Sequence, residues 1–359
     1  MSGEKKTELT LTIDAGSESR EGEIVFKLDE YDYTTTCRVA QYYYEHEEDE
    51  EITLQTHSRG KGINLVFLVD AENISNGDYL RVMNEQMERF FDIEPYHTYR
   101  DYFNVSTAIA VSPESGIGTV NTIRNTKFET TFTGEVGLRG NYSTIFNYAM
   151  EVSPVDESNL NQSLIIVTPN TIDYGGITEM WTDGSAIAFC PLSEDSYPYD
   201  ARGIIQHEAG GHGFGKLGDE YIYHNTFIDF CDCTCCEHVF EFNIAKSLGW
   251  YENLSLTGKM HEVPWSHLIF DDRYSDVVDI YEGGFMHARG VFRSEQNSCM
   301  NNNISYYNAI SREAIVKRIM EYAGESYSFE KFVENDKRDA VNSLSRSAER
   351  PGVTVRGNQ

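Results

Sequence analysis

Apolar residues recur along the 359-residue chain in two periods, and the change from one to the other divides it. Leu9, Leu11 and Ile13 alternate with Thr, and the runs GEIVFKL, CRVAQYYY and EITLQTH follow, separated by polar or turn residues. A period of two predicts half-buried strands, so residues 1–58 are expected to form a small all-β domain. Ser58-Arg59-Gly60-Lys61-Gly62 reads as a polar hinge. Beyond it, Ile63-Asn64-Leu65-Val66-Phe67-Leu68-Val69 is almost continuously apolar, as in a strand covered on both faces. Helical spacing follows over 79–91, then a buried strand over 105–111, a helix over 143–152, and short strands over 164–167 and 184–190. Residues 201–212, 240–248 and 309–322 read as further helices. Strands alternating with helices predict a layered α/β fold built on a mixed, largely parallel sheet across 59–325. From residue 326 the chain turns polar and charged, and 326–359 is expected to be a C-terminal tail whose last twenty or so residues are loosely held.

One of the predicted helices carries unusual chemistry. His207-Glu208-Ala209-Gly210-Gly211-His212 places two imidazoles and a carboxylate within six residues, and Gly215, Asp219 and Glu220 follow at once. A zinc hydrolase needs neutral nitrogens to hold the metal, a third protein ligand, and a carboxylate beside the attacking water. The common arrangement is H-E-x-x-H, in which both histidines share a helix face. Here they are five apart. On a regular α-helix, five residues leave the second side chain about 140° from the first. A π-bulge adds one residue to a turn and restores alignment, and Gly210 and Gly211 lie where an irregular turn is cheapest. His207 and His212 are therefore expected metal ligands. Asp219 is the first choice for the third, with Glu220 and His224 as alternatives. Glu208 is the expected general base, passing a proton from the activated water to the leaving amine. A second constellation lies further on: Tyr281-Glu282-Gly283-Gly284, then Arg289 and Arg293-Ser294, then Ser298-Cys299-Met300-Asn301. Tyr281, His287, Arg289 and Arg293 are candidates for polarising a carbonyl or steadying an oxyanion. Met300 in a polar turn suits a methionine placed beneath a metal site.

Composition narrows the partners. With 58 acidic against 29 basic residues the formal charge is −29, a surface that repels nucleic acid and anionic membrane. No apolar run is long enough to span a bilayer, and the first residues lack the apolar core of a signal peptide. Abundant Tyr and scarce Lys lean toward a secreted, periplasmic or cell-surface protein, with any leader missing from this chain. Of seven cysteines, four crowd together as C-x-C-x-C-C at Cys231, Cys233, Cys235 and Cys236. That spacing does not match the C-x2-C pairs of zinc ribbons, and it leaves disulfides, free thiols or a soft-metal site open.

The motif at 207–212, followed by Phe214-Gly215, Leu217 and Asp219-Glu220-Tyr221, resembles the active-site signature of the immunoglobulin-A-cleaving metallo-endopeptidases. Asn64-Leu65-Val66-Phe67-Leu68 with Asp70, Tyr102-Phe103-Asn104-Val105, Ser112-Pro113-Glu114-Ser115-Gly116, Tyr281-Glu282-Gly283-Gly284 and Arg293-Ser294 with Met300-Asn301 fit the same family. The resemblance covers roughly residues 60–325. It implies a zinc peptidase with a metzincin-like catalytic domain, an edge strand over the cleft and a Met-containing turn, with residues 1–58 as an accessory domain. The family pattern is H-E-x-x-H, one residue shorter than the motif here. The longer spacing is similar to that of dipeptidyl peptidase III, which nothing else in the chain resembles. The expected function is thus Zn2+-dependent hydrolysis of a polypeptide substrate, with 185–190 as the strand that pairs with it. The alternative is a peptidase-like binding protein without activity, with or without a structural zinc.

Overall fold

The structure is a computed structural model that describes residues 20–28, 33–41, 47–70, 76–134, 136–229 and 238–338. The alternating segment 9–13, the cysteine cluster 231–236 and the last twenty residues lie outside these. Near the start, β1 (Arg20–Leu28) and β2 (Tyr33–Gln41) form an antiparallel hairpin in unbroken register, from Arg20 opposite Gln41 to Leu28 opposite Tyr33.

The rest is organised by a six-stranded sheet. In chain order its parts are β3 (Glu51–Gln55), β4 (Ile63–Asp70), helix α1 (Asn76–Phe91), β5 (Phe103–Ala108), a small pair β6 (Thr131–Phe132) and β7 (Leu138–Arg139), helix α2 (Tyr142–Glu151), then β8 (Leu164–Pro169), β9 (Ile177–Met180) and β10 (Ala186–Phe189). In space the order is β3-β5-β4-β8-β10-β9. The four central strands are parallel and both outer strands antiparallel. The mixed sheet expected from the sequence is present. The apolar run of β4 is explained by its two faces: Leu65, Phe67 and Val69 pack with Met83, Phe90 and Phe214, while Val66 and Leu68 pack with Ile145 and Ala149 of α2.

Two boundaries differ from the sequence reading. The EITLQ strand, assigned with the N-terminal β region, is the outer strand of the central sheet, because its residues pair with β5 from Glu51 opposite Ala108 to Gln55 opposite Val105. The strand expected to edge the cleft, around 185–190, is interior: β10 lies between β8 and β9, so β9 holds the edge. Sequence position alone points to β10, the last apolar run before the histidine motif, because the reversal into β9 leaves no apolar signal.

After β10, α3 (Ala201–Ile205) runs directly into a π-helix (Gln206–Phe214). A second sheet follows: β11 (Ile222–Phe227), α4 (His238–Ser247), β12 (Leu254–Ser255), α5 (Ser266–Ile269), β13 (Tyr281–Gly284) and β14 (Met286–Arg293), with β14 central and paired to the other three strands. The chain closes with α6 (Cys299–Asn302), the buried helix α7 (Ala309–Ala323) and α8 (Phe329–Asn335). The first part of the expected polar tail is therefore docked. Phe332 is buried, and the Asp336 carboxylate accepts from the fully buried Arg312 guanidinium at 2.6 and 2.8 Å. Among the described residues no helix is long and apolar enough to cross a membrane.

Candidate metal centre

The helix with the longer motif starts conventionally. Asp200 caps it, accepting from the Gly203 amide at 2.9 Å. From Gln206 onward the ladder widens to the π form, as in the bond from Gly215 N to Gly210 O at 2.9 Å. Widening by one residue per turn brings residue i+5 back to the side of residue i. His207 and His212 consequently share a face, their ring centroids 4.9 Å apart. Helices rarely stay π because the carbonyls lose ideal partners. Here three side chains bond them: Tyr96 donates to Gly210 O at 2.6 Å, Thr178 to Glu208 O at 2.8 Å, and Tyr307 to Gln206 O. The two glycines serve close approach rather than an unusual φ. A Cβ on Gly210 would lie 2.5 Å from the Tyr307 oxygen, and one on Gly211 would lie 2.2 Å from Met300 Sδ.

Both imidazoles are fixed by their Nδ1 atoms. His207 Nδ1 donates to Cys299 O at 3.0 Å and His212 Nδ1 to Leu217 O at 2.7 Å. Each Nε2 then points at the same atom, Asp219 Oδ1, at 3.1 Å from both. One donor atom from each residue lies within 4.8 Å of the other two. A turn sets this convergence: Lys216 takes a left-handed backbone (φ 52°), and Gly218 N donates to Asn253 Oδ1 at 2.9 Å. The Asp219 carboxylate is the counter-charge to both imidazoles. Burial alone would lower His212, but Asp219 outweighs it and lifts the imidazole to about 9. Burial would raise Asp219, and the two histidines reverse that, holding it well below the usual carboxylate range. Tyr221 completes the wall. Its ring stacks on His207 at 6.2 Å, and burial followed by the neighbouring Asp219 pushes its phenol well above the normal value. Two neutral nitrogens and one carboxylate, all oriented by backbone carbonyls and neighbouring side chains, could hold a metal ion with a further position left open.

Glu208 lies next to His207 in the chain but is not part of the His207–His212–Asp219 group. The one hydroxyl hydrogen of Thr178, on edge strand β9, is shared between the Glu208 carbonyl and its carboxylate, with Oγ1 2.9 Å from Glu208 Oε2. Gly176 gives the carboxylate room, since a Cβ there would come within 2.9 Å of Glu208 Cγ. Tyr174 is close enough that, after burial, the Glu208 charge is the next cause lifting its phenol to about 12.

The other candidates have different surroundings. Glu220 turns inward, accepting from Asn308 at 2.7 Å, Asn253 at 2.9 Å and Ser298, and burial raises its pKa. It braces the loop that carries Asp219. His224 is exposed on β11 and faces His287, 5.7 Å between rings; His287 in turn bonds His238 at 2.8 Å. Arg293 Nη1 donates to Gly283 O at 2.6 Å and clamps β13, and Tyr281 lies opposite it in the ladder. Arg289 lies over the Phe227 ring. Among the described residues none of Tyr281, His287, Arg289 or Arg293 bonds the His207–His212–Asp219 group. Met300 is fully buried, its sulfur packed under Gly211, and its carbonyl accepts from Glu220 N at 2.7 Å. Cys190 and Cys299 are buried free thiols. Thr178, Gly176 and Tyr174 carried no signal in the sequence, because the short polar run around β9 has no periodicity. Tyr221 was visible only as part of the motif.

With this geometry in place, the sequence matches the family described as IgA Peptidase M64 over residues 65–246, half of the chain, a span that contains the π-helix, Thr178 and Asp219. No curated protein matches the chain.

Proposed function

We propose that this chain, which belongs to the IgA peptidase M64 family of metallopeptidases, is a zinc-dependent endopeptidase whose metal is held by His207, His212 and Asp219. The observation that carries the reading is the convergence of both Nε2 atoms on Asp219 Oδ1 at 3.1 Å despite the longer spacing. The donor set suits zinc, which tolerates two imidazoles, one carboxylate and an open position. Bound there, zinc would polarise a scissile carbonyl and acidify water. Glu208 takes the proton of the attacking water and carries it to the departing amine, and Thr178 Oγ1 keeps its carboxylate aimed while it does so. Edge strand β9, unpaired on its outer side among the described residues and directly beside Glu208, is the ledge along which an extended polypeptide adds as a further strand. The catalytic unit in this reading is the body across 59–325, extended by strand β3 and helix α8. An exported or surface location suits such an enzyme. The deciding experiment is Glu208→Gln. Zinc content measured by mass spectrometry should stay at one ion per chain, while cleavage of a mixed denatured-protein substrate falls by about 10²–10⁴-fold. Equal cleavage by the variant rejects Glu208 as base. Zinc at full occupancy with no cleavage by the parent chain favours the non-catalytic binding protein.

A further inference from the structure

Behind the ligand turn, on the side of helix α7, lies a cavity of about 210 Å³ whose wall includes Lys216, Glu252, Lys317, Arg318 and Glu321. Lys216 is 2% exposed. Its backbone is held at both ends, the amide donating to His212 O at 3.0 Å and the carbonyl accepting from Tyr251 N at 2.8 Å. Its φ of 52° is the left-handed conformation that glycine adopts at least cost. A lysine here thus bears both backbone strain and the burial of an ammonium. Among the described residues its Nζ makes no hydrogen bond and no close ion pair; it lies 5.3 Å from the Trp250 ring and feels the Asp183 carboxylate only through space. The other cations differ. Lys317 pairs with Glu313 at 2.8 Å and Glu252 is taken by Lys246 at 3.4 Å, which leaves Glu321 exposed at the rim. Arg318 donates to Tyr322 at 3.3 Å through Nη1, while its buried Nε has no partner. Lys216, whose amine is lowered to about 7 by burial and then by the Arg318 charge, and Arg318 thus bring unused donors to the wall of one cavity in a chain of net charge −29.

We propose that this cavity is a binding site for a small tetrahedral oxyanion, phosphate or sulfate, held by Lys216 and the Arg318 guanidinium. Such an anion supplies several acceptor oxygens at once, matching a compact ammonium and a planar fork of N–H donors. Its volume exceeds that of a few waters and is small for a folded peptide segment. Occupancy would steady the turn that joins His212 to Asp219, because that turn has Lys216 at its centre.

The test uses the full zinc-loaded chain, dialysed free of excess metal, with phosphate or sulfate titrated against chloride at constant ionic strength. The thermal midpoint should rise saturably by about 2–4 °C at a tenfold excess over Kd, and calorimetry should give one site per chain. Lys216→Met keeps the unbranched apolar stem of the side chain and removes its amine. It should retain zinc and abolish the anion response, and in anion-free buffer it should be at least as stable as the parent. Arg318→Gln should weaken binding tenfold or more, and Lys317→Gln, at the paired lysine, should leave it within twofold. An unchanged anion response in Lys216→Met would place the anion elsewhere, including on the metal, and overturns the proposal. So does the absence of saturable binding in the parent, a measurement that stands whether or not any variant folds.

Discussion

Gly211 is the position at which the longer motif can be tested most directly. A methyl added there would lie 2.2 Å from Met300 Sδ and 2.9 Å from its Cε. Ordinary contacts are about 3.5–4.0 Å, so the sulfur must retreat by about 1.5 Å or the π-helix must rise by as much. Met300 is fully buried and its backbone is bonded to Glu220 N at 2.7 Å, so little retreat is available. Overpacking of this kind costs about 1–3 kcal/mol. If the helix moves instead, His207 and His212 move with it and the convergence on Asp219 is lost. Gly211→Ala is therefore expected to lower urea stability by that amount and to weaken zinc retention in a chelator competition. Met300→Ala alone leaves a cavity and costs about 2–5 kcal/mol, but it also removes the clash. In the double variant the new methyl enters the vacated space, so the two costs should fall short of additivity by about 1–3 kcal/mol. A Gly211→Ala chain with the parent's stability and zinc affinity refutes the close-packing argument. So does a double variant whose costs simply add.

Zinc binding should release one proton between pH 6.5 and 9, because the metal-free His212 holds a proton up to about 9 beside Asp219; its affinity should rise about tenfold per pH unit across that window and level off above it, which calorimetry in buffers of different ionisation enthalpy would read. Burial, only partly offset by Arg312, lifts Glu295 to about 7, so the folded chain holds a proton that the unfolded chain loses from pH 4.5. Its contribution is complete below 4.5 and is lost as pH rises through 7, about 3 kcal/mol in all; Glu295→Gln should erase that slope in urea titrations, and an identical slope would reject the assignment. Asp336→Ala leaves the Arg312 guanidinium buried without its partner and should cost about 3–5 kcal/mol. A chain ending at residue 325 should melt well below the parent, because it lacks the buried Phe332 and the Asp336 carboxylate that pairs with Arg312.

The sheet was legible where a strand is buried on both sides, since continuous apolar runs such as that of β4 leave no other reading. Helices α1, α2 and α7 were legible for the same reason, through their spacing. The position of β9 was not. Its four residues are all half-buried, and its place at the edge follows from a pairing with β10 that reverses chain direction. The partner of strand β3 is not legible, because period-two alternation identifies a strand without naming its neighbour. At the candidate centre, the pairing of His207 with His212 and the need for a widened turn could be argued from the spacing alone. Asp219 stands first and Glu220 second in that reading, but the physical difference between them is not in the sequence. Adjacent residues point to opposite sides, and only the partners of Glu220, drawn from residues 253, 298 and 308, show which side is interior. The docked helix α8 was missed because a polar stretch anchored by one phenylalanine and one buried ion pair resembles a tail.

The hydroxyls of Tyr96, Thr178 and Tyr307 reach the π-helix from three separate parts of the chain. Excising one residue from 207–212 to recover the commoner spacing would shift the register of the carbonyls beneath those hydroxyls and strand them without acceptors. Grafting the six-residue motif into another scaffold would fail from the opposite direction, for want of donors. The length of the motif and the interior that surrounds it are thus a matched pair, and protein engineers would have to exchange both together.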